Sequence, residues 1–203
     1  MTHIKTLIFD LGNVIVPFAF SRAYRRIERL TGLTQDVIAP RMAQSGLYPR
    51  FESGQIEPEP FVDEMNQLLG TSLSVPEFRD LWVSIFLPDT LIPEEFLRTA
   101  RSRFRLVLLS NTNALHYHWL AENYPHFGWF HHHVLSYEAK AMKPSPLIYA
   151  QAIEHGGGNA DACFYTDDVQ PYVDAGRQAG LDAEQFTGFE KLLADLGQRG
   201  IRF

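Results

Sequence analysis

Four short, predominantly apolar runs lack the in–out alternation of a sheet with one wet face: Ile4–Phe9, Leu106–Leu109, His133–Ser136 and Cys163–Tyr165. Strands covered by helices on both faces read this way, and such double coverage is the mark of a parallel sheet. A weaker fifth strand is expected over Asp182–Phe186. Helical patterns at Ala114–Asn123, Pro146–His155 and Pro171–Ala179 separate the last four strands, and Gly180 stops the third of these helices. The alternation predicts an α/β fold: a Rossmann-like, doubly wound parallel sheet in three α/β/α layers.

Residues 17–103 break that rhythm. They carry helical spacing with little strand character, as in Tyr24, Ile27 and Leu30, then Phe61, Met65 and Leu68, then Phe78, Leu81 and Ile85. Turn signals divide them at Gly32, Gly54, Pro58, Gly70 and Pro88. The expected organisation is an α/β core of residues 1–16 and 104–203 with a helical insertion of residues 17–103 between its first two strands. That insertion leaves and re-enters the sheet beside Asp10, a position suited to a lid. The plainer alternative is that its helices only thicken one face of the sheet.

With 203 residues, 45% of them hydrophobic, the chain can bury a substantial core. Its net charge is -6 and no block of Lys and Arg occurs, which argues against nucleic acid or an anionic membrane as a partner. No run is long enough to span a bilayer and no signal-peptide pattern precedes the first strand. The single cysteine, Cys163, opens an apolar strand and reads as a buried thiol in a reducing compartment, so a cytoplasmic protein is expected. Gly156-Gly157-Gly158 reads as a helix stop followed by a flexible loop.

Each strand end carries polar residues. The first delivers Asp10 into Leu11-Gly12-Asn13, placing a carboxylate and free backbone N–H groups at the carboxyl edge of the sheet, where open α/β folds bind ligands. The second leads into Ser110-Asn111-Thr112-Asn113 before a helix, a hydroxyl and free amides that suit an anion and also suit an ordinary cap. Lys143 stands ahead of Pro144 after the third strand. The fourth ends Thr166-Asp167-Asp168, and adjacent carboxylates there are costly to hold without a cation such as Mg²⁺. A nucleophile, donors, a fixed ammonium and a metal-binding pair are the parts that phosphoryl transfer needs.

The set resembles the haloacid dehalogenase superfamily along nearly the full chain. Phe9-Asp10-Leu11-Gly12-Asn13-Val14 resembles its first motif, Leu109-Ser110-Asn111-Thr112 its second, Lys143-Pro144 its third and Thr166-Asp167-Asp168 its fourth. The insertion resembles that family's small helical cap, and Phe51-Glu52-Ser53-Gly54-Gln55-Ile56 resembles an aromatic-acid-x-Gly turn common there. The first motif's wording is similar to a subgroup that includes bacterial sugar-phosphate phosphatases. The resemblance implies Mg²⁺-dependent hydrolysis of a small phosphorylated metabolite, with Asp10 forming an aspartyl-phosphate. It further implies Mg²⁺ on Asp10, the Gly12 carbonyl and Asp168, with Asp167 binding directly or through water. Backbone groups of Leu11 and Gly12, with Ser110 and Asn111, would hold the phosphoryl oxygens, and Lys143 would neutralise charge and orient Asp10.

Two positions depart from the family's pattern. Most of its phosphatases carry an acid–base aspartate where this chain has Gly12, although relatives with this glycine are described as phosphatases. Related sequences often have Asp or Asn where Tyr172 stands, and Asp174 lies at a different helical phase. Dehalogenation of a 2-haloacid needs no leaving-group acid and so tolerates Gly12, but it leaves Asp167 and Asp168 without a purpose. A Schiff-base phosphonate chemistry needs a cap lysine, and the lysines are Lys5, Lys140, Lys143 and Lys191. A non-catalytic binding protein on the same fold is the other alternative. The histidines 116, 118, 126 and 131–133 read as surface or sheet-edge residues, since no convergent zinc set forms. Phe18, Phe20, Tyr24 and Tyr48 are expected mostly in a core with one or two lining a pocket, and Arg22, Arg50 and Glu52 as substrate contacts.

Overall fold

A computed structural model describes residues 3–203. Its centre is a five-stranded, wholly parallel sheet of β1 (Thr6–Phe9), β2 (Arg105–Ser110), β3 (His132–Leu135), β4 (Cys163–Asp167) and β5 (Asp182–Gln185). The spatial order is β3-β2-β1-β4-β5. The chain runs outward from β1 through β2 to β3, then returns to β1's other side for β4 and β5. The two directions of winding part between β1 and β4, the switch point where such sheets open a crevice at the strands' carboxyl ends.

Side-chain alternation explains why the strands are apolar without a break. Leu7 and Phe9 of β1, Leu106 and Leu108 of β2 and Phe164 of β4 pack into one core. Their neighbours Ile8, Val107, Leu109, Cys163 and Tyr165 pack into a second core on the opposite face. Both faces are dry, so both phases of the period-two pattern must be hydrophobic. The second core is closed by α9 (Pro146–His155) through Ile148, Tyr149 and Ala152, and by α10 (Gln170–Gln178) through Val173. The first is closed by α6 (Glu94–Arg101), α7 (Ala114–Asn123) and α11 (Phe189–Gln198), with Phe96 of α6 edge-on to Phe9.

Strand ends differ from expectation where polar groups find partners. The third strand ends at Leu135, not Ser136, because the buried Ser136 opens the short α8 (Ser136–Ala139). Its hydroxyl accepts from the Thr112 N–H and donates to the Thr112 carbonyl, both at 2.9 Å. The fourth runs on through Thr166 and Asp167, whose carboxylate is satisfied inside the protein. Helices α7 and α9 begin where predicted: Asn113 caps the first by accepting from the His116 N–H, and Ser145 with Pro146 starts the second. Cys163 is buried in its strand as expected. Gly156 is no loose stop, since its carbonyl accepts from the Thr6 hydroxyl at 2.6 Å.

Between β1 and β2 lie α1 (Phe20–Thr31), α2 (Gln35–Ser45), α3 (Leu47–Glu52), α4 (Pro58–Leu69) and α5 (Val75–Trp82) ahead of α6. They pack around Phe51, Phe61, Phe78 and Trp82, with Phe51 stacked on Phe61 at 4.0 Å between centroids. The segment leaves and returns through one narrow neck: the Ala19 N–H donates to Ile85 and the Leu87 N–H to Pro17, each at 2.9 Å. A second tie lies at the Gly54 turn, where Lys140 Nζ donates to the Gly54 carbonyl at 2.7 Å. Gly54 has φ +66, and a Cβ there would stand 2.0 Å from the Tyr137 carbonyl, so this approach of turn to core requires glycine. Among the described residues no helix is long and apolar enough to cross a membrane.

Candidate active site

The carboxyl ends of β1, β2 and β4, together with the loop after α8, converge. Lys143 Nζ donates to Asp10 Oδ1 at 2.6 Å, to Asp167 Oδ2 at 2.5 Å and to the Leu109 carbonyl at 3.2 Å. One buried ammonium thus joins the ends of β1, β2 and β4. Carboxylate oxygens of Asp10, Asp167 and Asp168 lie within 4.8 Å of one another. Ser110, Asn111, Leu11 and Gly12 line the same cavity as Asp10, Lys143 and Asp168, so the site residues picked from sequence are gathered at one place.

Neighbouring groups lock this arrangement. Asp167 is wholly buried, with Oδ2 accepting from Lys143 and from the Tyr165 hydroxyl and Oδ1 from the Val169 N–H at 2.9 Å. The Asn111 side chain grips the Lys143 backbone, its Oδ1 accepting from the Lys143 N–H at 2.8 Å and its Nδ2 donating to the Lys143 carbonyl at 3.0 Å. Asn13, held at φ 54, donates to Asp168 Oδ2 at 3.3 Å and accepts from the Phe18 N–H at 3.3 Å. Tyr172 lies beneath Lys143, with Nζ 5.2 Å from its ring centroid, whereas Asp174 faces solvent and pairs with Arg177. Sequence reading missed Tyr165 and the Asn111 side chain. The first was discoverable, because residues 165 and 167 share one face of a strand.

The electrostatics are unbalanced. Burial pushes the Asp10 carboxyl up to about 7, Lys143 opposes that rise and Asp167 adds to it. Burial also works against the Lys143 charge, but Asp10 and Asp167 outweigh it and hold the ammonium protonated above the ordinary lysine range. Asp168 is raised by burial and by Asp167. Three carboxylates face one ammonium, and excess negative charge in a pocket of hard oxygen atoms suits a divalent cation such as Mg²⁺.

Above this floor is a cavity of about 320 Å³ whose roof comes from the helical segment: Phe18, Phe20, Tyr48, Glu52 and Phe86. Phe18, Phe20 and Tyr48 therefore line a pocket, while Tyr24 stacks behind Phe20. Of the three charged residues expected at substrate, only Glu52 reaches the cavity. Arg22 donates to the Ser84 carbonyl and Arg50 pairs with Glu64. A Cβ on Gly12 would lie 2.6 Å from Phe18 Cε1, so the Phe18 ring fills the space a side chain at position 12 would need.

His116 and His126 are buried, contrary to their expected surface placement. The neutral His116 ring stacks on Trp82 with centroids 5.4 Å apart, bonds to the Trp82 carbonyl through Nε2 at 3.2 Å and faces Asn113 Nδ2 at 3.1 Å through Nδ1. One backbone carbonyl and one amide satisfy both ring nitrogens, which is how a histidine enters a core.

The profile of haloacid dehalogenase-like hydrolases matches residues 4–180. The chain belongs to that family. It is 24% identical over 188 residues to the D-ribitol-5-phosphate phosphatase of Bacteroides thetaiotaomicron, covering 90% of this chain and 91% of that one. A crystal structure of a family enzyme from the same bacterium, in complex with magnesium and inorganic phosphate, superposes with a TM-score of 0.81 at 26% identity, covering 91% of this chain and 95% of that one. The 2-haloacid dehalogenase of Pseudomonas syringae pv. Tomato DC3000 shares the fold, with a TM-score of 0.68, 15% identity, and coverage of 96% and 99%.

Proposed function

We propose that this family member is a phosphatase acting on small phosphomonoesters, sugar or polyol phosphates among them. The observation that carries the reading is the set at the switch point: a buried aspartate fixed by Lys143, beside two further carboxylates, at the floor of a roofed cavity. Relatives named as a sugar-alcohol phosphate phosphatase and solved with magnesium and phosphate support it.

In this reading Asp10 attacks phosphorus, the ester P–O bond breaks, and the resulting aspartyl-phosphate is hydrolysed by water. Lys143 favours the ionised form of Asp10 against the effect of burial and aims it by holding Oδ1. Ser110 and the backbone amides of Leu11, Gly12 and Asn111 bind the phosphoryl oxygens. Asp10, the Gly12 carbonyl and Asp168 would hold Mg²⁺, with Asp167 contributing directly or through water. A bound Mg²⁺ would neutralise phosphoryl charge and lower the Asp10 pKa from its raised value. The helical segment of residues 17–103 serves as the cap, with α1–α5 forming the roof and α6 resting on the sheet.

A phosphate-release screen over sugar, polyol and nucleoside phosphates with Mg²⁺ tests the proposal. Turnover is expected for at least one small ester, and it should vanish with EDTA and in Asp10→Asn while that variant still melts cooperatively. Activity that persists in Asp10→Asn would remove Asp10 from the chemistry. Halide release from 2-chloropropionate, with no phosphate release from any ester, would make the protein a dehalogenase instead.

A further inference from the structure

Position 12 supplies no proton to the departing alcohol, because it is a glycine whose side-chain space is taken by Phe18. An alkoxide is a poor leaving group, and protonating it is typically worth about 10²–10⁴-fold in rate. We propose that Glu52, in the roof of the same cavity, is the general acid and base of this reaction; the assignment rests on the phosphatase reading above.

Geometry supports the placement. Attack by Asp10 from the floor puts the leaving oxygen on the far side of phosphorus, toward the roof. Glu52 is the last residue of α3 and lines that roof. The turn that follows it is pinned to the core by Gly54, through Lys140 and the close approach to Tyr137. The other roof side chains are Phe18, Phe20, Ile85, Phe86 and the Tyr48 phenol, so Glu52 is the carboxyl among them.

The protonation state also fits. Burial pushes the Glu52 carboxyl up to about 7, against smaller lowering effects of the Tyr48 hydrogen bond and the Lys143 charge. The titratable groups facing it are Tyr48 from its own helix, Lys143 from the loop after α8 and Tyr172 from α10. Near neutral pH such a carboxyl is divided between its two forms, as an acid that must later act as a base requires. In the first step Asp10 forms the bond to phosphorus, the ester P–O bond breaks and the leaving oxygen takes the Glu52 proton. In the second, Glu52 carboxylate takes a proton from water as its oxygen bonds to phosphorus, the Asp10–phosphorus bond breaks, and the glutamic acid is restored with phosphate free.

The test compares wild type, Glu52→Gln and Glu52→Asp on propyl phosphate, a polyol phosphate and p-nitrophenyl phosphate, whose leaving group needs no proton. Expected in Glu52→Gln is a kcat/KM loss of about 10²–10⁴-fold on both alkyl esters and a far smaller loss on the nitrophenyl ester, because kcat/KM ends at the phosphorylation of Asp10 and leaves out the hydrolysis step common to all three. The alkaline fall of kcat/KM on the alkyl esters should disappear, and Glu52→Asp should recover part of the alkyl-ester kcat/KM. Equal kcat/KM losses on all three esters, or a kcat/KM loss confined to the polyol ester, would overturn the assignment and make Glu52 a structural or hydroxyl-binding residue. Wild type that hydrolyses none of the three overturns the phosphatase reading and this assignment together. Glu52→Gln that no longer melts as wild type passes the decision to Glu52→Asp, whose alkyl-ester rate must then exceed that of Glu52→Gln relative to the nitrophenyl rate.

Discussion

Gly12 and Phe18 are neighbours in space although five residues separate them in the chain, and neither explains itself alone. The glycine removes an acid from the floor, and the phenyl ring makes that removal hard to reverse. Gly12→Ala is expected to destabilise the protein by about 1–3 kcal/mol through overpacking against Phe18. In Gly12→Ala/Phe18→Ala the penalty should shrink below the sum of the single changes, read from urea midpoints as a double-mutant cycle. Strict additivity would mean that the ring does not occupy that space. Glu52 carries a second prediction at this scale. Its pKa rises from 4.5 to about 7 on folding, so the native state binds the extra proton and stability falls as pH climbs through that window. Glu52→Gln should therefore gain on wild type between pH 4.5 and 7 and keep a constant advantage above, by up to a few kcal/mol. A difference independent of pH would show that Glu52 is not desolvated.

At the scale of elements, α5 and α7 meet through His116, which couples the helical segment to the sheet-bearing core. Burial drives this histidine down to about 3, against the smaller raising effect of its bond to Trp82. A base whose pKa is depressed on folding lends stability that is complete above 6.5 and is lost as pH falls toward 3. Wild type should show a steeper decline of Tm with acid than His116→Gln over that window, and parallel curves would contradict the burial of a neutral ring. The elements themselves were largely legible. Double-sided burial leaves unbroken apolar runs, which is why five parallel strands could be read, and Asn113, Ser145 and Pro146 mark helix starts by their own chemistry. The convergence of Asp10, Ser110, Lys143 and Asp168 was equally legible, since parallel strands deliver their carboxyl ends to one edge. His116 and His126 were not, because the carbonyls their Nε2 atoms bond to, Trp82 and Ile92, lie thirty-four residues away in each case. Glu52 could not be separated from Arg22 and Arg50 either, because which of these charges turns inward depends on how α1, which carries Arg22, and α3, which carries the other two, pack.

The whole molecule shows why the fold does not decide the chemistry. A 2-haloacid dehalogenase shares the fold, so the chemistry has to be argued from the site and not from the frame. What supports a phosphoryl substrate here is the carboxylate cluster beside Asp10, with Ser110, Asn111 and Lys143 lining the same cavity. The roof closes over them from a segment tied to the core at its neck and at the Gly54–Lys140 contact, so the reacting centre is formed jointly by two parts of the chain. The proposed chemistry requires that Asp10 itself become phosphorylated. Rapid acid quench during turnover of a hydrolysed ester with Mg²⁺, followed by borohydride reduction and peptide mass spectrometry, reads this directly. Homoserine is expected in place of aspartate at residue 10, and none in the Asp10→Asn protein. Phosphate release by wild type with residue 10 unmodified at every quench time, and undiminished turnover in Asp10→Asn, would contradict it.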